Sequence, residues 1–313
     1  MSLVIIGTVA FDAIETPFGK TDKIIGGSAT YVGYSASKLG VNPKLVAVVG
    51  GDFPQETISD LKSVGFDLEG LQIKEGEKTF FWSGRYHNDM NSRDTLATEL
   101  NVLENFDPVI PESYQDCSYL MLGNLAPAVQ QQVINGMKNR PKLIAMDTMN
   151  FWMDISMDDL KKTISMVDVL TINDEEARQL SGEYSLITAA EKIQAMGPTY
   201  LIIKKGEHGA LLFHGKDMFY APALPLPKVT DPTGAGDTFA GGFMGYLART
   251  DDTSFENMKR AVIYGSALAS FTVQEFGTDR IKSVTNEELE LRIAKFKALM
   301  SFSESRVLNE IKN

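Results

Sequence analysis

Asp231-Pro232-Thr233-Gly234-Ala235-Gly236-Asp237-Thr238-Phe239-Ala240-Gly241-Gly242 is the most informative stretch of this chain. Pro232 bars a regular strand or helix interior, while Gly234 and Gly236 permit a tight turn. From Phe239 to Leu247 the residues suit an apolar helix. Gly234, Ala235 and Gly236 are therefore expected at a helix N-terminus, with unpaired and convergent amides. Such a turn is an anion site, because free amides and the positive end of the helix dipole aim at one place. Asp237 falls in the first helical turn beside it. A carboxylate there makes sense if it must approach something attached to the anion, and a hydroxyl attacking a phosphoryl group is such a thing. The plain alternative is structural, with Asp231 forming an Asx turn and Asp237 complementing the helix dipole. Two other phosphate motifs fail on counting. Gly19-Lys20-Thr21 ends like a Walker A loop, but Ile14 occupies the earlier glycine position. Phe239 occupies the third glycine position of a dinucleotide fingerprint.

Upstream of this turn, short apolar runs rich in β-branched residues alternate with longer helical patterns. Residues 3–7, 44–49, 119–123, 143–147, 169–172 and 200–204 read as strands, apolar on both faces as a helix-covered parallel sheet requires. Residues 31–39, 56–64, 129–138 and 189–196 read as helices between them. Strand alternating with helix predicts a doubly wound α/β fold. Beyond the turn, helices near 235–247, 256–271 and 287–300 follow with little strand between. Residues 8–25 and 79–98 break the alternation and read as hairpin or edge-strand material projecting from the sheet. Excursions of this length are commonly functional lids, and Phe80, Phe81, Trp82 and Tyr86 favour an ordered one. No repeat or linker divides the 313 residues, so a single domain is expected.

Composition excludes several classes of function. With 41 acidic against 30 basic residues the formal charge is −11, which repels nucleic acid and anionic membranes. No run approaches the roughly 18 apolar residues of a membrane span. The first residues lack a charged leader, three scattered histidines form no zinc motif, and the lone Cys117 has no internal partner. The expectation is a soluble cytoplasmic protein.

The stretch from Asp231 to Phe239 closely resembles the C-terminal signature of the ribokinase and phosphofructokinase B family of carbohydrate kinases. The resemblance extends over nearly the whole chain. Gly26-Gly27-Ser28-Ala29-Thr30-Tyr31, with Leu39-Gly40 after it, is similar to the family's N-terminal Gly-Gly element. Asn173-Asp174-Glu175-Glu176 resembles its Asn-x-x-Glu element, and Gly206-Glu207-His208-Gly209 its nucleotide turn. It implies a ribokinase-like fold with a small β-lid from about 8–25 and 79–98. It also implies ATP-dependent phosphorylation of a sugar hydroxyl, with Asp237 as base and Gly234, Ala235 and Gly236 as anion hole. Lys204, Gly206 and Gly209 would meet the nucleotide. Asn173 and Glu176 would support Mg2+ through its waters, although the same spacing is a capping box. Asp12 sits where the family holds a sugar-binding aspartate, with Gly26 and Gly27 allowing close approach. As a plain alternative, Asp12 is a solvated hairpin charge. Asp231 and the backbone near 270–277 resemble a monovalent-cation site, suited to K+. A homodimer through the lid is a further implication.

Two positions depart from the family pattern. Tyr31 stands where an asparagine is frequent, which leaves room for a substrate with a flat ring and so for a nucleoside kinase of the same fold. A non-catalytic sugar-binding relative is a further alternative, opposed by the intact Asp237. Lys204 replaces a common threonine, to meet a phosphate or to end a strand in solvent.

Overall fold

The strands β1 (Leu3–Ile6), β2 (Ala10–Thr16), β3 (Gly19–Lys20) and β4 (Ile24–Gly26) open the computed structural model, which describes residues 1–302. Helix α1 (Ser28–Ser37) leads to β5 (Pro43–Gly50), and α2 (Gln55–Ser63) to β6 (Asp67–Lys74), β7 (Phe81–Tyr86) and β8 (Arg93–Glu99). A strand-and-helix alternation follows: β9 (Tyr119–Leu122), α3 (Pro127–Asn135), β10 (Leu143–Asp147), α4 (Asn150–Ile155), α5 (Met157–Ile164) and β11 (Val169–Asn173). Next come α6 (Asp174–Ser181), α7 (Leu186–Gln194), β12 (Tyr200–Lys204), β13 (Ala210–His214) and β14 (Asp217–Ala221). Four helices close the described chain: α8 (Ala235–Thr250), α9 (Phe255–Thr272), α10 (Asp279–Ser283) and α11 (Asn286–Met300).

Nine strands form one sheet in the order β14-β13-β12-β11-β10-β9-β1-β5-β6, parallel except for the β13–β14 hairpin at one edge. The parallel strands are near-continuous apolar runs because helices cover both faces. One core packs α1, α8 and α9 against the sheet through Val32, Phe243, Leu247 and Phe271. The other lies under α3 to α7 and contains Val133, Leu160, Ala177 and Ile193. Helix α8 nests closely because it is glycine-rich: a Cβ at Gly241 would fall 2.2 Å from the Val32 carbonyl oxygen. The chain builds the sheet outward from β1 to β5 and β6, then crosses to β9 and proceeds the other way. That reversal is the switch point where α/β sheets open a crevice at the carboxyl ends of their strands.

The irregular segments form a second, five-stranded sheet of their own, β3-β2-β7-β8 with β4 beside β2. Strands β2 and β7 pair in parallel and the others antiparallel. This is more than hairpin material. The β2 residues Asp12, Ile14 and Thr16 are buried while Glu15 is only partly so, giving the sheet one inward face. Thr16 Oγ1 donates to the Thr230 carbonyl at 3.0 Å, tying that face to the segment before the glycine turn. Sequence periodicity also missed β6, a half-covered strand without clean alternation, and the hairpin β13–β14.

Candidate active site

Asp147, Asn173 and Lys204 are the last residues of β10, β11 and β12, three neighbouring carboxyl ends of the parallel sheet. Lys204 Nζ lies 3.2 and 3.3 Å from the two carboxylate oxygens of Asp147. Neither expected role for Lys204, phosphate contact or solvated strand end, anticipates this ion pair. Burial opposes the ammonium charge, but Asp147, Glu176 and Asp237 outweigh it and raise its pKa. Asn173 and Glu176 form a complete capping box at the start of α6. The Asn173 amide donates to Glu176 Oε2 at 2.7 Å, and the Glu176 amide to Asn173 Oδ1 at 2.8 Å. Oε1 of the buried Glu176 carries no hydrogen bond among the described residues. Burial raises the Glu176 pKa and Asp147 adds to the rise, with Lys204 opposing.

Over these strand ends lies the glycine turn. Gly234 caps α8 with φ 73°, in the left-handed region that glycine enters without strain. A Cβ there would also strike the ring of Tyr31 at 2.5 Å. The Ala235 amide closes the turn onto the Pro232 carbonyl at 3.1 Å. That bond withdraws Ala235 from the expected anion hole and leaves the Gly234 and Gly236 amides without partners among the described residues. Gly236 packs over Lys204, whose Nζ would be 3.0 Å from an added Cβ. Asp237 stands in the first turn of α8. Burial lifts its pKa above the ordinary carboxylate range and the charge of Asp147 adds to the rise, while Lys204 and Arg93 oppose it. Asp231 is fully buried and both its oxygens are engaged. They accept from the amides of Thr233 at 2.8 Å and Gly277 at 3.2 Å. Its visible task is therefore to hold the turn.

Asp12, within electrostatic reach of Asp237, is 5 % exposed, inside the fold and not on a solvated hairpin. Gly26 is required beside it, because a Cβ would come 1.9 Å from Asp12 Oδ2. Gly27, at φ 93°, would press a Cβ to 2.4 Å from the Thr8 carbonyl oxygen. Burial, then the charges of Asp231 and Asp237, push the Asp12 carboxyl up to about 7. Tyr31 corrects the sequence reading. Its ring is buried beneath Gly234 and offers no open face to a substrate ring. What remains for a ligand is its hydroxyl, buried without a hydrogen-bond partner and near Asp12, Asp231 and Asp237.

The second sheet roofs the site. The register pairs Asp12 with Trp82 and Ile14 with Gly84, so Trp82 and Asp12 leave the same face. The Trp82 indole lies across Gly84, where a Cβ would meet it at 2.2 Å. Tyr86, further along that face, accepts from Thr233 Oγ1 at 3.2 Å. At the hairpin tip, Asn91 Oδ1 reaches Gly206 so closely that a Cβ there would lie 2.5 Å away. Gly206 thus joins the site through the lid. Gly209 closes the β12–β13 turn against the Ala221 carbonyl oxygen, 2.1 Å from an added Cβ.

Sequence reasoning missed Asp147 and Arg93. Asp147 had a usable signal, being the charged end of an otherwise apolar buried strand. Arg93 had none. Among the described residues no cluster of three or more His, Cys, Asp or Glu side chains is arranged to hold a metal ion. Mg2+ needs no such cluster, since it keeps several waters and takes one or two carboxylates plus substrate phosphates. Glu176, with one carboxylate oxygen outside its capping bonds, could support such an ion through its waters. No helix among the described residues is long and apolar enough to cross a membrane.

A model of the pfkB family carbohydrate kinases matches residues 2–285. The cytidine kinase of Thermococcus kodakarensis is 32 % identical over 253 residues, covering 80 % of this chain and 89 % of that protein. The nucleoside kinase of Methanothermobacter thermautotrophicus is 27 % identical over 305 residues, covering 88 % and 90 %. Among solved structures, a putative ribokinase II of Escherichia coli has TM-score 0.80 in its apo form, at 21 % identity over 94 % of this chain and 99 % of that one. With ATP and Mg2+ bound, that protein scores 0.78.

Proposed function

Since this chain belongs to the pfkB family of carbohydrate kinases, ATP-dependent phosphotransferases, we propose that its acceptor is a ribose hydroxyl of a nucleoside. Trp82 beside Asp12 is the observation that carries this reading. A carboxylate that accepts from neighbouring hydroxyls suits the sugar, and an indole on the same face suits the base. The similarity to a cytidine kinase supports it. The sequence pointed first to a simple sugar and assigned the flat-ring contact to Tyr31. In this proposal Trp82 takes that contact, and the Tyr31 hydroxyl turns toward the sugar.

When bound, ATP supplies the phosphoryl group and Mg2+ neutralises part of its charge. Asp12 binds and orients the acceptor. Asp237 takes the proton of the attacking hydroxyl, and its raised pKa gives it useful basicity near neutral pH. The Gly234 and Gly236 amides meet the oxygens on which charge develops. Lys204, held by Asp147 beneath Gly236, packs under the turn as a fixed ion pair. The second sheet excludes water, whose attack would waste ATP.

ADP release measured with cytidine, adenosine, uridine, inosine, ribose and fructose tests the proposal. At least one nucleoside should exceed ribose by roughly 10- to 100-fold in kcat/KM, the worth of about 1–3 kcal/mol of base–aromatic stacking. Trp82→Ala should erase that advantage and leave ribose turnover unchanged. Ribose or fructose used as well as every nucleoside would return the chain to the sugar kinases.

A further inference from the structure

Five carboxylates crowd this site, those of Asp12, Asp147, Glu176, Asp231 and Asp237, yet the site must admit a polyphosphate. Lys204 is the cation among them, and Asp147 already neutralises it. Mg2+ offsets part of the phosphate charge, but a phosphoryl group in flight spreads charge over three equatorial oxygens that need donors. The lid carries a candidate. Strands β7 and β8 are antiparallel, and the register sets Arg93 directly across from Tyr86. Cross-strand partners share a face, so Arg93 leaves the lid on the side of Tyr86, whose hydroxyl is hydrogen-bonded to Thr233 in the glycine turn.

The other basic residues of this hairpin are engaged elsewhere. Arg85 is one residue out of phase on β7, and its Nε and Nη2 donate to Glu15 on the opposite face at 2.9 and 3.2 Å. His87 faces Asp94 at 3.0 Å. Arg93 makes no hydrogen bond or ion pair among the described residues. Its charge nevertheless reaches both Asp237 and Glu176, the proposed base and the proposed metal support. The hairpin is seated at two points that precede Arg93 in sequence, Tyr86 on Thr233 and Asn91 on Gly206. Guanidinium is the apt group, because its planar fork meets two phosphoryl oxygens at once.

We propose that Arg93 is a catalytic residue, a lid-borne guanidinium that binds the transferring phosphoryl group when the β7–β8 hairpin is seated on the glycine turn. The inference rests on the phosphotransfer reading of the Asp237 turn but not on the identity of the acceptor. In the transfer, a bond forms from the acceptor oxygen to the γ-phosphorus as the bond to the bridging oxygen breaks. The hydroxyl proton passes to Asp237, and the electron pair of the broken bond leaves with ADP. Arg93 stabilises the equatorial oxygens throughout and exchanges no proton.

The test needs no acceptor. MgADP binding is measured by calorimetry with and without aluminium fluoride, a planar mimic of the group in flight, on wild type, Arg93→Ala and Arg85→Ala. In wild type the fluoride should tighten MgADP binding. Arg93→Ala should lose at least tenfold of that tightening while MgADP alone binds within about threefold of wild type. Arg85→Ala, altered on the outer face, should behave as wild type. With the best acceptor found, Arg93→Ala should also lose roughly 10²–10³-fold in kcat, as for a lost charge-stabilising donor. Guanidinium added in solution should restore part of that rate. Full fluoride tightening in Arg93→Ala, or an equal loss in Arg85→Ala, overturns the proposal. A wild type that phosphorylates no nucleoside sinks the acceptor reading and leaves the calorimetric result to decide this one.

Discussion

Asp12→Asn should make the protein more stable, and most strongly at neutral to alkaline pH. Asp12 is 5 % exposed and its carboxyl titrates at about 7 in the fold, whereas an unfolded aspartate titrates near 3.8. The folded chain therefore holds the proton more tightly than the unfolded chain. In sign, the ionised carboxylate costs stability above pH 7, and the cost is relieved as pH falls toward 4. A separation of this size corresponds to at most about 4 kcal/mol at pH 8, of which roughly 2–3 kcal/mol is already recovered at pH 5. Asparagine keeps an oxygen for the Gly27 amide and removes the charge. Differential scanning fluorimetry without ligands is the assay, at pH 8 and pH 5 in matched salt. For a chain of 313 residues, the gain of the variant over wild type should be about 4 °C larger at pH 8 than at pH 5. The same variant should bind substrate poorly, since the carboxylate that burdens the fold is the one proposed to hold the sugar. A gain equal at both pH values would refute the reasoning, as would a variant less stable than wild type at pH 8.

Three further outcomes follow from the site. Asp237→Asn should lower kcat by roughly 10²–10⁴-fold while leaving acceptor and nucleotide binding within a few-fold. In wild type, kcat/KM should fall as pH drops through a limb well above the ordinary carboxylate range, because Asp12 and Asp237 are both raised. A variant that keeps a tenth of wild-type turnover removes Asp237 as the base. Glu176→Gln should raise the Mg2+ concentration for half-maximal rate; lower thermal stability with unchanged Mg2+ dependence would reduce Glu176 to its capping role.

Local pattern carried the fold a long way. Residues 143–147 and 200–204 match β10 and β12 end to end, because a strand buried on both faces must be apolar throughout. The helix after Gly234 was equally legible, since a left-handed glycine followed by an apolar run leaves the backbone few choices. The order of the glycine, Asn-x-x-Glu and Gly-Gly elements sufficed to suggest the family. Strand β6 and the β13–β14 hairpin escaped because half-covered and edge strands lack that uniform signal.

Taken alone, the sequence determined the parallel core, the glycine turn and the place of Asp237 beside it, each a property of a few consecutive residues. Tertiary structure decided which distant side chains meet. Lys204 and Asp147 are 57 positions apart and pair because their strands end side by side in one sheet. Tyr31 is buried because α1 runs beneath the turn, a packing that no pattern around residue 31 encodes. Trp82 joins Asp12, and Arg93 shares the face of Tyr86, only through the register of the second sheet. A shift of one residue in that register would turn all of these side chains to the opposite face.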